Sequence, residues 1–327
     1  MTSNGIRAGA IDTHAHVYPG AYLARLEQIG VDPATTAIAR NLHADCTETD
    51  IQRRLDWMDR AGVAMQVLAV TPQLPAGPDG ASSLEAARMI NDEYARLVAE
   101  HPGRFLAYAA LPIPHVAEAL TEMARALEEL GMVGVSVTTV LREQTSLVDP
   151  RLDELWQELD DRGAVVNIHP TGSGCHSPMI TDHQLEWVNG APVEDATATL
   201  QLLKADIPRR YPNVRFHIAH LGGDLPFLAQ RIQDNYEDWH AFPASPRDTL
   251  RGIWFDAANF HEPSLRLAVE TYGAERIIAG SDHPYFQDEK YLRAFEYIRT
   301  SKLDGRDISR ILRENAEGLY RPAATKT

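Results

Sequence analysis

The run GAIDTHAHVYP, from Gly9 to Pro19, sets His14 and His16 one residue apart. Alternate side chains of a strand share a face, so both imidazoles can point at one ion if this run is extended. An H-x-H pair often arises by chance, and it becomes a metal claw only if further donors reach the same point. Three other runs carry such donors: VVNIHP has His169, FHIAHLGG has His217 and His220, and IIAGSDHP has Asp282. Imidazoles with a carboxylate form the donor set of a zinc-type catalytic centre, in which protein ligands fix the ion and one position stays free for water or substrate. Such an ion lowers the pKa of bound water to about 7, and it can also hold and polarise a substrate oxygen.

The elements must bring these runs together. Short apolar or β-branched runs alternate with amphipathic segments along almost the whole 327-residue chain, the pattern of repeated βα units. Strands are predicted at GAIDTHAH, VAMQVLAVTP, FLAYAALP, VGVSVTT, AVVNIHP, VRFHIAHLG, IWFDAANF and RIIAGSDHP, with helices between them from ETDIQRRLDWMDRAG to EPSLRLAVETYG. Helix stops such as HPGR and YPNV precede the next strand. Eight strand-helix units predict an α/β fold, a closed (β/α)8 TIM barrel, with an open doubly wound sheet as the weaker alternative. Residues 1–327 are read as a single domain, a normal size for one barrel. Two connections break the rhythm: an insertion after strand 1, Val17 to Asp45, and a long loop after strand 5, Thr171 to Val193. Long loops in a compact domain are usually lids or insertions with a function. In a barrel all strands open their carboxyl ends on one face, where His14, His16, His169, His217, His220 and Asp282 would converge.

Composition narrows the partners. A net charge of −15 disfavours a nucleic-acid footprint, which needs clustered positive charge. No apolar run approaches the roughly 18 residues that span a bilayer, and the polar opening MTSNGIRAG has no signal-peptide core. A cytoplasmic enzyme with a small-molecule substrate is the expectation. Cys46 and Cys175 are too few and too far apart for a disulfide framework and are read as buried thiols.

The motifs D-T-H-A-H, N-I-H-P, H-L-G-G-D-L-P-F-L-A-Q-R and G-S-D-H-P resemble the amidohydrolase superfamily, in the branch with aminocarboxymuconate-semialdehyde decarboxylase and the salicylate-type decarboxylases. The resemblance runs from about Ile11 to Tyr320. It implies His14, His16 and His169 as metal ligands, Asp282 as ligand or acid-base group, and His220 as the catalytic histidine beside the ion. It further implies that Arg231 binds a substrate carboxylate in the neighbouring subunit of a homodimer, a task suited to a planar guanidinium fork. One divalent ion is expected, Zn2+ first and Mn2+ as its main substitute. Many superfamily hydrolases bridge two ions with a carbamylated lysine after strand 4, but the lysines here are Lys204, Lys290, Lys302 and Lys326, and none can serve. The implied activity is decarboxylation of a small aromatic or dienoic carboxylic acid. The alternative is hydrolysis of a small amide or lactone by a metal-bound water, and a barrel that merely binds a small molecule would not explain so many donors at strand ends.

The remaining candidates have plainer readings. His217, three residues before His220, is expected on the opposite face of its strand in a structural role. His176 and His183 are read as surface or lid residues, and His43, His101, His115 and His240 as ordinary loop residues. His261 is weighed evenly as a substrate contact. His283 stands where the resembling proteins often carry an aromatic residue, and Trp187 either walls the pocket or packs under its loop. The stripe Leu120, Met123, Leu127 and Leu130 is a helix face against the barrel.

Overall fold

The computed structural model describes residues 9–321, so the polar opening at 1–8 and Lys326 lie outside the described residues. The strands in chain order are β1 (Ala10–His16), β2 (Val63–Ala69), β3 (Phe105–Ala107), β4 (Ala109–Ala110), β5 (Val135–Thr138), β6 (Val140–Leu141), β7 (Thr145–Ser146), β8 (Val165–His169), β9 (Arg215–Ile218), β10 (Trp254–Asp256) and β11 (Ile277–Ile278). Parallel pairing runs β1-β2-β3 and then β4-β5-β8-β9-β10-β11, with β3 and β4 the two halves of one predicted strand interrupted at Tyr108. The ring closes through the backbone. Thr13 N donates to Ala279 O at 2.9 Å, Asp282 N to His14 O at 2.8 Å and His16 N to His283 O at 2.7 Å, and Ala15 bridges to His283. This is the predicted (β/α)8 barrel. The pair β6-β7 is a small antiparallel hairpin on its rim.

Both faces of a barrel strand are covered, which is why these strands are apolar runs rather than clean alternations. Every residue of β1, β5 and β8 is buried. Helices pack outside through stripes at helical spacing. In Val116–Glu128 the buried set Ala119, Met123 and Ala126 is flanked by partly buried Leu120 and Leu127. Several helices begin on caps legible in the sequence, such as Thr47 accepting from Asp50 N and Asp79 from Ser82 N, each worth about 1 kcal/mol.

The insertion after β1 contains helices Gly20–Gln28 and Pro33–Ala37, and the loop after β8 contains short helical turns up to Glu186–Gly190. Beyond β11 the chain forms helix Glu289–Arg299 and further turns to Leu319, which the predicted element list lacks. Its buried Tyr291, Ala294, Phe295 and Ile298 carry the helical period that marks it. Cys46 and Cys175 are half-buried free thiols rather than core residues.

Candidate metal centre

β1 presents His14 and His16 at its carboxyl end, β8 presents His169 at its last position, and the turn after β11 presents Asp282. One ligand atom from each lies within 4.8 Å of all the others. The three imidazoles form a near-equilateral set, with ring centroids 5.1, 4.9 and 4.9 Å apart. Asp282 Oδ1 sits 3.3 Å from His16 Nε2 and 3.4 Å from His14 Nε2.

The bonds behind these rings fix which nitrogen faces inward. His14 Nδ1 donates to Asp256 Oδ2 at 2.9 Å, and His169 Nδ1 donates to the Pro170 carbonyl at 2.7 Å. Their Nε2 atoms are thereby the ones turned toward the centre, and both are buried without a hydrogen-bond partner. Buried polar atoms are normally satisfied, so two bare imidazole nitrogens aimed at one carboxylate fit a divalent cation. The donor set suits zinc or manganese alike.

Electrostatics agree with a site short of positive charge. Burial and the neighbouring imidazoles hold His169 well below its ordinary range, and burial lowers His16 to about 4. Burial also works against a charge on His14, but Asp256 and Asp282 outweigh it and raise the ring to about 10. Asp282 stays well below the carboxylate range, because the attraction of His14, His16 and His220 exceeds the cost of its burial.

His220 follows β9 in a left-handed turn, with φ of 52° at His220, 57° at Leu221, 72° at Gly222 and 64° at Gly223. Its Nε2 lies 3.6 Å from Asp282 Oδ2 and its Nδ1 lies 2.9 Å from Asp195 Oδ2. Burial opposes a charge on His220, yet Asp195 and Asp282 hold its pKa well above the usual value. Asp195 itself is raised to about 7 by burial, against the pull of His220. His220 thus stands beside the four-residue group, with its free nitrogen turned toward it.

A cavity of about 470 Å³ opens over the group, reached by His169, His220 and Asp282 and walled by Trp187, Phe260, Tyr285 and Phe286. Trp187 comes from the loop after β8, stacks on Tyr285 at 6.1 Å and 20°, and lies against Gly172, where any Cβ would strike its ring. Ile38 of the insertion and Trp187 also line a second chamber of about 640 Å³, which includes Arg142 and His176. The two long connections therefore partition the barrel mouth.

The other expectations divide. His217 is not on the outer face: it is fully buried inside the barrel, with Nε2 3.0 Å from Asp256 Oδ2 and Nδ1 2.9 Å from Tyr108 Oη. β9 ends at Ile218 and the chain then turns left-handed, so the pleat does not carry through to His220. His283 is buried against Tyr291, and His261 is exposed and bonded to Ser264 outside the cavity lining. His176 and His183 are exposed. Arg231 lies on the exposed face of helix Leu225–Trp239, outside the lining of both chambers.

Two carboxylates absent from the predicted site matter most. Asp256 is the last residue of β10, so the strand-end rule that selected Asp282 also points to it. Asp195 lies inside helix Ala191–Lys204, where nothing in APVEDATATL marks it.

A family model described as amidohydrolase matches residues 11–321. The 2-amino-3-carboxymuconate-6-semialdehyde decarboxylase of Dictyostelium discoideum is 28% identical over 302 residues, covering 85% of this chain and 82% of its own. The gamma-resorcylate decarboxylase of Rhizobium sp. (strain MTP-10005) is 29% identical over 293 residues, covering 83% and 88%. Among solved structures, the dihydroxybenzoic acid decarboxylase from Polaromonas sp. JS666, with bound manganese and the inhibitor 2-nitroresorcinol, superposes with a TM-score of 0.82 at 23% identity, covering 96% of this chain and 97% of that one. A barrel with these motifs, this buried donor group and a family match over nearly its full length belongs to the amidohydrolase family.

Proposed function

We propose that the protein is a metal-dependent decarboxylase of a small aromatic carboxylic acid. The observation that carries this reading is the meeting of two unpartnered imidazole nitrogens with Asp282 beneath an aromatic-walled cavity into which His220 projects. His14, His16, His169 and Asp282 would hold one divalent ion, with zinc preferred and manganese its substitute. Such an ion, when bound, would supply polarisation of a substrate oxygen and positive charge against the negative charge of the reaction. The aromatic walls hold the ring plane and keep water from the reacting carbon. When the bond from ring carbon to carboxylate breaks, its electron pair stays on the ring, and a proton from His220 then replaces the carboxylate on that carbon.

Names of relatives support an aromatic substrate, because resorcylate and dihydroxybenzoic acid are planar hydroxylated acids of a size the cavity admits. A dienoic acid, as named for the Dictyostelium relative, is the second substrate class. We further read the protein as a homodimer in which Arg231 completes the partner's site. Supporting this, Phe227 is 81% exposed four residues before Arg231, on the same face of one helix, and Val188 at the cavity rim is 72% exposed.

The test is to strip the protein of metal, reload it separately with zinc and manganese, and follow carbon dioxide release from 2,6-dihydroxybenzoate, salicylate and muconate-type acids beside hydrolysis of small lactones and amides. Metal-dependent carbon dioxide release from an aromatic acid is the expected result. Hydrolysis without carbon dioxide release would transfer the site to the hydrolase reading.

A further inference from the structure

Asp195 has no exposed surface, and among the described residues its Oδ1 has no hydrogen-bond partner while Oδ2 meets only the His220 ring, at 2.9 Å. An ionisable carboxylate in that setting is costly to bury, and its neighbours along the helix, Ala196, Ala198 and Thr199, show that small uncharged side chains pack there. Its placement is also enforced. Gly223, with φ of 64°, lies so close to helix Ala191–Lys204 that a Cβ would stand 1.9 Å from the Pro192 carbonyl. That approach seats the first turn of the helix directly against the turn that carries His220.

The residue before Asp195 works in the other direction. Glu194 Oε2 accepts from Thr139 Oγ1, Thr171 N and Thr171 Oγ1 at 2.7, 2.7 and 2.8 Å, and Oε1 accepts from Ser173 Oγ and Gly174 N at 3.0 and 2.7 Å. One helical turn therefore grips the loop that follows His169 with one carboxylate and the His220 ring with the next.

We propose that Asp195 is the positioning residue for His220, holding the Nδ1–H so that Nε2 is presented to the reacting carbon. The geometry is that of an oriented acid-base histidine, in which a buried carboxylate fixes tautomer and ring angle without touching substrate. This rests on His220 as the proton-transfer group, and the experiment separates the two ideas.

Asp195→Asn, His220→Ala and the double variant are compared as metal-loaded proteins. Asp195→Asn keeps the shape but offers its amide where the carboxylate stood. It should lower kcat by roughly 10- to 100-fold, the scale of a lost orienting partner, with KM and metal content little changed. The double variant should be no slower than His220→Ala alone, because residues that act as a unit are not additive. If His220→Ala is slow while Asp195→Asn keeps full kcat, or if the two losses multiply, the positioning role is wrong. If His220→Ala itself keeps full turnover, the reading of His220 fails instead. Should Asp195→Asn not fold, nitrogen NMR of His220 in the zinc-loaded wild type decides: Nδ1 must carry a proton, and a ring protonated only on Nε2 overturns the proposal.

Discussion

A single oxygen of Asp256 joins two histidines, lying 2.9 Å from His14 Nδ1 and 3.0 Å from His217 Nε2. Its other oxygen accepts from His220 N and Ala258 N, both at 3.1 Å. Asp256 thus sets the ring angle of a metal-facing imidazole and the start of the His220 turn together. Asp256→Asn, which retains the shape but loses the charge, should weaken zinc or manganese affinity by roughly 10- to 100-fold, the usual cost of losing a carboxylate behind a ligating histidine. Competition against a chromogenic chelator measures it, and unchanged affinity would show that His14 needs no such support.

His220 lies beside the donor group rather than within it, with Nε2 facing Asp282 at 3.6 Å. His220→Ala should keep its metal and lose roughly 100-fold or more in turnover, the scale of a missing acid-base group. Elemental analysis run in parallel with kinetics distinguishes this from ligand loss, in which metal and activity would fall together.

Arg231 is exposed on its own chain and far from neutral ground in its chemistry, being suited to grip a carboxylate with two parallel bonds. Mixing inactive Arg231→Ala subunits with inactive His220→Ala subunits should restore part of the activity, since a heterodimer regains one site with both residues intact. If subunit exchange is demonstrated and activity stays absent, Arg231 is a surface residue.

The metal-free centre should make stability peak near neutral pH. The ordinary histidine value is 6.5, and His16 is held down at about 4 when folded. The unfolded chain therefore binds more protons across that window, and stability is lost as the pH falls from 6.5 toward 4. His14 is raised to about 10, so its contribution is complete below 6.5 and is lost as the pH rises toward 10. Melting curves of stripped protein from pH 4 to 10 test both limbs, and reloading with metal should raise Tm throughout the neutral range. A profile flat on both sides would mean that neither ring is perturbed by its surroundings.

The barrel and the convergence of polar side chains at its strand ends were legible because both rest on short-range rules, whereas the choice of His14, His16, His169 and Asp282 among them came from the family motifs. Strand runs reveal themselves by apolar and β-branched residues, and polar side chains at their carboxyl ends must share one face. His217 was misplaced because alternation holds only while a strand lasts, and β9 ends before His220. Asp195 could not be seen, since its meaning comes from the Gly223–Pro192 approach between segments far apart in the chain. The final helices were legible in principle through Tyr291, Phe295 and Ile298, whose spacing is that of any buried helix face. Trp187 divides the mouth through contacts with Gly172 and Tyr285 that lie on two different loops, which no local pattern encodes.

The seam between the first and last strands has a consequence for biogenesis. Asp12 accepts from Ser281 Oγ at 2.7 Å and from Ser281 N at 3.0 Å, and buried Arg54 donates to the His16 carbonyl at 2.5 Å while gripping Gln66, which in turn donates to Asp12. His16 on β1 can complete the centre only with Asp282, made 266 positions later. A nascent or truncated chain that stops before β11 therefore has His14, His16 and His169 but no Asp282, and it lacks the closure that aligns β1. Capture of an ion by all four donors therefore waits until the chain has been made past Asp282, and a chain broken before that point forfeits the fourth donor and the stabilisation that complete metal binding would bring.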